Sequence, residues 1–260
     1  MITVTSGELA TWLSELFWPF VRIGACLMVA PAFSAIGVPA RIRVVLAAAI
    51  ALAVAPLLPA PTGIEPLSVQ GIVVTVQQVV IGVALGFCLQ IVFDAVTLGG
   101  QLLANSMGLS FAFNVDPMHG AATPVVGQLY GILVLLVFLA LDGHLRIVEA
   151  LVASFRAIPV GTSGLGAEGL WQLAVWGTQL FSGALAIALP GVTAITIVNL
   201  AFGVVSRAAP ALNIQAIGFP ISLIFGLCIV FASLSMLQTS FLGQIGGAFL
   251  EIRRLLGGGV

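Results

Sequence analysis

The sequence predicts an all-α, polytopic helical membrane protein with about five to six long apolar helices. Of its 260 residues, 60% are hydrophobic, only 7% are charged, and lysine is absent. A soluble domain carries about 25% charged residues, so this chain has too few charges to cover a surface that faces water. Its formal net charge is −1, which gives no indication of a nucleic acid as partner.

Six apolar runs carry this prediction. A bilayer span needs about 20 predominantly apolar residues, and five or six runs qualify because the second one is short. They are residues 16–36, 44–60, 69–93, 125–141, 170–201 and 217–237.

Small and polar residues recur every three or four positions along the third run and its continuation, and they share one helix face. They are Gly82, Gly86, Gln90, Asp94, Thr97, Gln101 and Asn105. Gly82 and Gly86 form a GxxxG pair, which lets two helix backbones approach closely. The set therefore indicates either a helix-packing seam or a face that lines a polar conduit.

The same region is too long for one ordinary span. A continuous helix over residues 69–105 would be about 55 Å long, whereas the bilayer core is about 30 Å thick. We therefore expect this helix to break at Gly99 and Gly100, or else to protrude from the membrane.

Arg22 is a charged residue inside the first apolar run. An arginine at mid-bilayer costs about 2.5–3.5 kcal/mol even on the more lenient insertion scale. The sequence leaves two possibilities: the side chain snorkels to an interface, or it faces a cluster of carbonyls or a carboxylate. Asp94, which directly follows the third apolar run, is the candidate carboxylate.

Residues 108–124, GLSFAFNVDPMHGAATP, are too polar and too broken to span a membrane but too apolar for a free loop. Phe111, Phe113, Val115 and Met118 lie among turn-forming residues that begin with Gly108. Non-helical backbone at membrane depth persists only inside protein or against an aqueous cavity. The segment is therefore either a loop at the interface or a re-entrant loop whose phenylalanines obstruct a pore.

The residue types of an enzyme are missing. Asp142 and His144 are near neighbours, but no third group is placed to complete a nucleophile–base site. The two histidines have no cysteine or carboxylate cluster at metal-ligand spacing, and no GxxxxGK phosphate loop occurs. We expect no catalytic site, metal or cofactor.

Four stretches in a fixed order resemble one protein family. They are RIGACLMVAPAFSAIGVPARIRVVLA (22–47), MGLSFAFNVDP (107–117), LDGH (141–144) and SRAAPALNIQAIGFP (206–220). Together they resemble the FliR family, the export-gate membrane subunit of the flagellar type III secretion apparatus, over nearly the whole chain. Virulence type III systems use a related subunit, and the resemblance favours the flagellar system.

The resemblance implies partners and a place. A FliR-like chain assembles with FliP-like and FliQ-like subunits into an export gate in the bacterial inner membrane, within the flagellar basal body. FlhB-like and FlhA-like components lie beside this gate, and unfolded secreted proteins pass through its pore. Residues 1–168 then correspond to a FliP-like part, and residues 169–250 correspond to a FliQ-like C-terminal helical hairpin.

The resemblance also assigns two sites. The family's re-entrant, plug-like loop closes the pore, which corresponds here to residues 108–122 with Phe111 and Phe113 as blocking side chains. The hairpin bend faces the cytoplasmic entrance, which corresponds here to Arg207, Asn213 and Gln215. From the residues alone, Arg207 is equally explained as an arginine that fixes the bend or caps carbonyls, and the lysine that FliQ-like bends often carry is absent.

A small-solute secondary transporter is the alternative function. Transporters are expected to carry paired ionisable groups at mid-membrane, often in repeated halves. Only Arg22 and Asp94 qualify in this chain, and no convincing internal repeat relates its two halves.

Overall fold

A computed structural model describes residues 6–34, 38–58, 64–66, 68–109, 125–161, 164–208 and 214–257, with side chains left undescribed at 6–14, 214–217 and 219. All regular secondary structure in these ranges is helical. The α-helices are α1 (Ser6–Val29), α2 (Ala40–Val54), α3 (Val69–Ser106), α4 (Val125–Ala140), α5 (Gly143–Ala157), α6 (Ala167–Trp176), α7 (Gln179–Ala208) and α8 (Ile214–Leu255), and a 3-10 turn at Ala55–Leu57 follows α2.

Four helical stretches in the described ranges are long and apolar enough to cross a membrane, and a fifth is added if the bent pair α4 and α5 forms one span. The four are Ala40–Leu57, Val69–Ser106, Ala167–Ala208 and Pro220–Leu255. The prediction of an all-α polytopic membrane protein is therefore confirmed, and α1 is not counted among these spans.

Of the two outcomes expected for the third run, the break at Gly99 and Gly100 does not occur, and protrusion from the membrane stays a prediction. Helix α3 continues through Gly99 and Gly100, and its 38 residues extend over about 57 Å at about 1.5 Å per residue. A methyl group on Gly99 would lie 3.0 Å from the Ala184 carbonyl oxygen, and one on Gly100 would lie 2.7 Å from Gly127 Cα. These glycines bring neighbouring backbones close to an unbroken helix.

The chain forms two compact units, each discontinuous in sequence. Unit 1 comprises Met1–Gln90, Phe138–Gly177 and Gly247–Val260, and unit 2 comprises Ile91–Val137 and Thr178–Gly246. Helices α3 and α8 therefore contribute to both units. The division into residues 1–168 and 169–250 rests on family resemblance and stays a prediction.

In unit 1, the turn between α4 and α5 is built by the LDGH motif. Asp142 adopts a left-handed backbone conformation with φ 55°, which aspartate tolerates better than most residues. A methyl group on Gly143 would overlap the ring of Phe138. Glycine at 143 therefore lets α5 begin directly beneath this ring.

Unit 2 packs small residues of α7 and α8 against α3. A methyl group on Gly191 would lie 2.6 Å from a Leu103 side-chain carbon, and one on Gly226 would lie 2.5 Å from the Met107 side chain. Phe93 and Phe241 add an edge-to-face ring contact with centroids 5.4 Å apart.

The GxxxG pair of α3 lies directly against α1 in unit 1. A methyl group on Gly82 would overlap the backbone carbonyl oxygen of Arg22, and one on Gly86 would lie 2.8 Å from the Cys26 carbonyl oxygen. The two helices thus meet backbone to backbone, the arrangement that such glycine pairs permit.

Gly82→Ala should lower the free energy of unfolding by about 1–3 kcal/mol, because the added methyl forces α1 away from α3. The measurement is denaturant unfolding of the purified full chain in detergent. Gly203→Ala is the matched control: nothing lies within 4 Å of that position, so the better helix propensity of alanine should leave stability unchanged or raise it by up to about 1 kcal/mol. A Gly82→Ala protein as stable as the control variant would contradict the close contact.

Candidate functional site: a buried arginine and an exposed apolar hairpin

Arg22 is fully buried in unit 1, and its guanidinium joins three segments of the chain. Its Nε donates to Gln78 Oε1 at 2.8 Å, one Nη donates to Ser154 Oγ at 3.2 Å, and the other donates to the Ile158 carbonyl oxygen at 2.9 Å. The guanidinium carbon also lies 4.1 Å from the centre of the Phe155 ring. All of these partners are neutral.

The end of α5 explains how a cation is tolerated here. Ile158 follows the last residue of α5 as its C-cap, so its carbonyl lies at the helix end where carbonyl groups lack partners within the helix. The helix dipole adds partial negative charge at this end. Arg22 therefore donates a hydrogen bond to a carbonyl group at the C-terminal end of α5, and the partial negative charge of that helix end stabilises the guanidinium.

The hydroxyl of Ser154 is oriented for this role. It donates its proton to the Leu151 carbonyl oxygen at 2.6 Å, which leaves its lone pairs to accept from Arg22. The residue belongs to the buried face of α5, together with Ile147, Leu151 and Phe155.

The cluster contains more buried donors than acceptors. The indole Nε1 of Trp18 and the amide Nε2 of Gln78 are buried without a hydrogen-bond partner among the described residues. Trp18 precedes Arg22 by one helical turn on α1. The surroundings of Arg22 therefore combine one positive charge with two N–H groups that have no partner among the described residues.

Either carbonyl groups or a carboxylate were expected around a buried Arg22, and the structure shows a carbonyl, that of Ile158. Asp94, the candidate carboxylate, is an exposed residue of unit 2. Sequence analysis missed Gln78, Ser154, Phe155 and Ile158. A signal existed for Gln78, because it lies four residues before Gly82 and extends the same helix face.

The remaining residues predicted at functional sites are only partly described. Gly108 follows the end of α3 in a left-handed conformation with φ 79°, which glycine adopts without strain. Arg207 is exposed in the last turn of α7, and Gln215 lies in the first turn of α8. Outside the described residues lie Phe111, Phe113, Val115, Met118 and Asn213. The plug and entrance assignments stay predictions.

Along the polar face of α3, Gln90, Thr97 and Gln101 are half-buried, whereas Asp94 and Asn105 are exposed. Thr97 and Gln101 lie beside α4, because methyl groups on Gly131 and Gly127 would meet their side chains at 3.3 Å and 3.0 Å. This part of the face therefore packs between helices within unit 2.

Helices α7 and α8 keep most of their apolar surface exposed. Of the most apolar stretch in each candidate span, only 17% is buried in Ala167–Ala208 and 22% in Pro220–Leu255, as is 17% in Ala40–Leu57, compared with 67% in Val69–Ser106. Phe181, Leu185 and Leu189 follow one another at four-residue spacing on α7, and all three are exposed. This surface is suited to lipid or to other membrane helices.

Within the described residues, no group of three or more His, Cys, Asp or Glu side chains could hold a metal ion. The arrangement consists of helices that pack on one another and present apolar faces outward. These features define a multi-pass membrane protein with a structural interior.

Comparison with known proteins identifies the family. Residues 13–248 match the family described as bacterial export proteins, family 1. The flagellar biosynthetic protein FliR of Escherichia coli is 38% identical over 98% of this chain and 96% of its own length. FliR of Pectobacterium carotovorum is 39% identical over 87% of both chains, and FliR of Buchnera aphidicola from Schizaphis graminum is 35% identical over 91% of both.

The chain belongs to the FliR family of bacterial export proteins. It is therefore a multi-pass membrane component of the flagellar export apparatus.

The Arg22–Gln78 hydrogen bond should be measurable as a coupling energy. In a double-mutant cycle with Arg22→Met and Gln78→Met, we expect a coupling of about 1.5–3 kcal/mol, the range for a hydrogen bond to a charged group. Unfolding of the purified chain in detergent gives the four free energies. Gln70→Met, at an exposed glutamine of the same helix, is the control and should show no coupling to Arg22→Met. Equal coupling energies for Gln78 and Gln70 would contradict the buried hydrogen bond between Arg22 and Gln78.

Proposed function

We propose that the chain is a structural, pore-forming subunit of the flagellar type III protein export gate. In this proposal it lies in the bacterial inner membrane within the basal body and assembles with FliP-like and FliQ-like subunits. FlhB-like and FlhA-like export components associate with the assembled gate, and unfolded flagellar proteins cross the membrane through it.

The single observation that carries this proposal is the low burial of α7 and α8 in a chain of the FliR family. Only 17% and 22% of the most apolar stretches in Ala167–Ala208 and Pro220–Leu255 are buried, so these helices have few neighbours within the chain. Such low burial is expected for a subunit whose helices are covered by helices of other subunits.

The exposed glycines favour protein helices over lipid as the neighbours of α7 and α8. Nothing lies within 4 Å of a methyl group on Gly203 of α7, or on Gly243 and Gly246 of α8. Lipid contact requires no small residue, whereas close helix packing in membranes favours glycine at the interface. These open positions support docking of further helices on the hairpin.

In the proposed closed gate, residues 108–122 form the plug, and Phe111 and Phe113 block the pore. The left-handed conformation of Gly108 supports this arrangement, because it turns the chain away from the axis of α3 at the start of the segment. The exposure of Arg207 at the end of α7 is compatible with an entrance that also includes Asn213 and Gln215.

A small-solute transporter fits the charges less well. Such a carrier moves an ion or solute past ionisable groups that are accessible in turn from each side. Arg22 is fully enclosed, and its hydrogen-bond partners are neutral groups of the same unit. Its arrangement favours a fixed structural role.

Coexpression tests the assembly directly. The tagged chain, extracted gently with FliP-like and FliQ-like proteins of the same cell, should migrate as one large hetero-oligomer whose mass is measured by native mass spectrometry. Replacing both Gly203 and Gly243 by Leu should reduce recovery of this complex, because the bulky side chains block helix docking. A matched Gly161→Leu change, at an open position outside the helices, should leave it intact. A monomer or homodimer that contains no FliP-like or FliQ-like protein would overturn the proposal.

The plug assignment has a separate test. Replacing Phe111 and Phe113 together by Ala should leave assembly intact but make the closed gate leaky to small ions, since two large side chains no longer fill the pore. Membrane potential and small-molecule uptake of cells with assembled complexes report the leak. Phe87→Ala, at a partly exposed phenylalanine of α3, is the control and should remain tight. An unchanged potential in the assembled double variant would show that these phenylalanines do not seal the pore.

A further inference from the structure

A groove of about 310 Å³ opens on unit 1 between α5 and the C-terminal end of α8. Three of its lining residues are charged and the others are apolar. They are Arg146, Glu149, Ala150, Ala153, Phe249, Ile252, Arg253 and Leu256. The volume is near the lower limit of small-molecule sites, about 300–1,000 Å³, so the groove can hold a compact polar group but not a large ligand.

The groove carries two arginines on opposite walls. Arg146 stands on α5, and its guanidinium carbon lies 5.8 Å from the centre of the Phe249 ring, so the side chain extends over the apolar floor. Arg253 faces it from the last turn of α8. Both arginines are exposed, which leaves their N–H groups available to a ligand.

The charged residues that line the groove form no ion pair with one another among the described residues. Among the described residues, the ion pair at this end of α8 joins Arg254 to Glu251 at 3.3 Å. It occupies a buried carboxylate and the arginine that does not line the groove. The third charged group of the groove is Glu149, which lies one turn from Arg146 on α5 and is exposed.

The position of the groove along the helices points to the membrane surface. It lies at the C-terminal end of the candidate span Pro220–Leu255. A helix of this length extends over about 54 Å, more than the bilayer core of about 30 Å, so its end lies outside the hydrocarbon core, at or beyond the level of the headgroups. Helix α5 is amphipathic, with Ile147, Leu151 and Phe155 buried and Arg146, Glu149 and Arg156 exposed. The apolar face of α5 is buried within unit 1, so its charged face is the one that a headgroup can reach.

We propose that this groove binds the headgroup of an aminophospholipid. Arg146 and Arg253 donate hydrogen bonds to the phosphate oxygens, for which the guanidinium fork is well matched. Glu149 accepts a hydrogen bond from the primary ammonium of the headgroup. Phe249 and Ile252 contact the glycerol and the first acyl carbons, while the remaining acyl chains follow the exposed apolar surface.

Glu149 selects this lipid class. A headgroup that carries only phosphate would place its negative charge beside the Glu149 carboxylate, and an acidic peptide of a partner subunit would do the same. A headgroup with both a phosphate and an N–H-bearing ammonium complements two arginines and one glutamate.

Native mass spectrometry of the purified full chain tests this assignment. The protein is delipidated in mild detergent and then titrated separately with phosphatidylethanolamine, phosphatidylglycerol and phosphatidylcholine. We expect preferential retention of phosphatidylethanolamine. Arg146→Gln and Arg253→Gln should each weaken retention of phosphatidylethanolamine about tenfold, because each removes a charge-assisted hydrogen bond to the phosphate. Glu149→Gln should abolish the preference for phosphatidylethanolamine over phosphatidylglycerol.

Arg156→Gln is the matched control, because Arg156 is an exposed arginine of the same helix that does not line the groove. It should bind all three lipids as the unmodified chain does. If an arginine variant fails to fold, Glu149→Gln decides alone, since its expected result is a changed preference and not a loss of binding.

Three results would overturn the proposal. One is equal retention of phosphatidylethanolamine and phosphatidylglycerol by the unmodified chain. Another is lipid retention that survives both arginine substitutions. The third is cross-linking of Arg253→Cys to a partner subunit in a complex that retains no lipid at this position.

Discussion

A guanidinium without access to water determines how unit 1 is built. Burying an unpaired charge costs far more than burying an apolar group, and no single helix can supply enough acceptors to a fully enclosed arginine. Arg22 therefore collects one acceptor from α3, one from α5 and one from the residue that follows α5. The planar fork of the guanidinium fixes the directions from which these groups approach, so three helices are oriented by one side chain.

The same contact explains the glycines of α3. The side chain of Arg22 reaches Gln78 only because the backbone of α1 lies directly on Gly82, where any side chain would overlap the Arg22 carbonyl oxygen. One residue thus meets α3 twice, through its backbone at Gly82 and through its side chain one turn earlier. Hydrogen bonding and close packing reinforce each other at this crossing, which makes the α1–α3 contact specific in register as well as in distance.

Glycines in this chain fall into two groups with different consequences. Gly82, Gly99, Gly183 and Gly191 have close neighbours from the same chain, and they shape the interior of the units. Gly203, Gly243 and Gly246 have open space, although they lie on long apolar helices. In the proposed gate, the first group folds the subunit and the second receives its neighbours. The lipid groove is independent of both groups, since its charged residues lie near the beginning of α5 and at the end of α8.

Apolar runs in the sequence predicted most of the helices, the family resemblance implied the hairpin, and the cost of a charge in the membrane predicted that Arg22 needs a carbonyl or a carboxylate. Prediction from the sequence failed where the answer depended on distant parts of the chain. Gln78 belongs to the stripe of Gly82 and Gly86, but as one of four glutamines in the third apolar run it gave no indication of a partner 56 residues away. Gly99 and Gly100 suggested a break because local propensity ignores the helices that pack on them. The two discontinuous units could not be inferred, since α3 and α8 are each one uninterrupted pattern shared by both.

The partners of Arg22 also determine when α1 can pack during synthesis of the protein. Ile158 lies 136 residues after Arg22, so at about 5–20 residues per second the ribosome needs roughly 7 to 27 s to supply it. During that interval the first helix carries an uncompensated cation. It must wait at the lipid–water boundary, or in the shelter of the insertion machinery, until α3 and α5 emerge. Helix α1 is thus synthesised before α3 and α5 but reaches its final position only once they have followed.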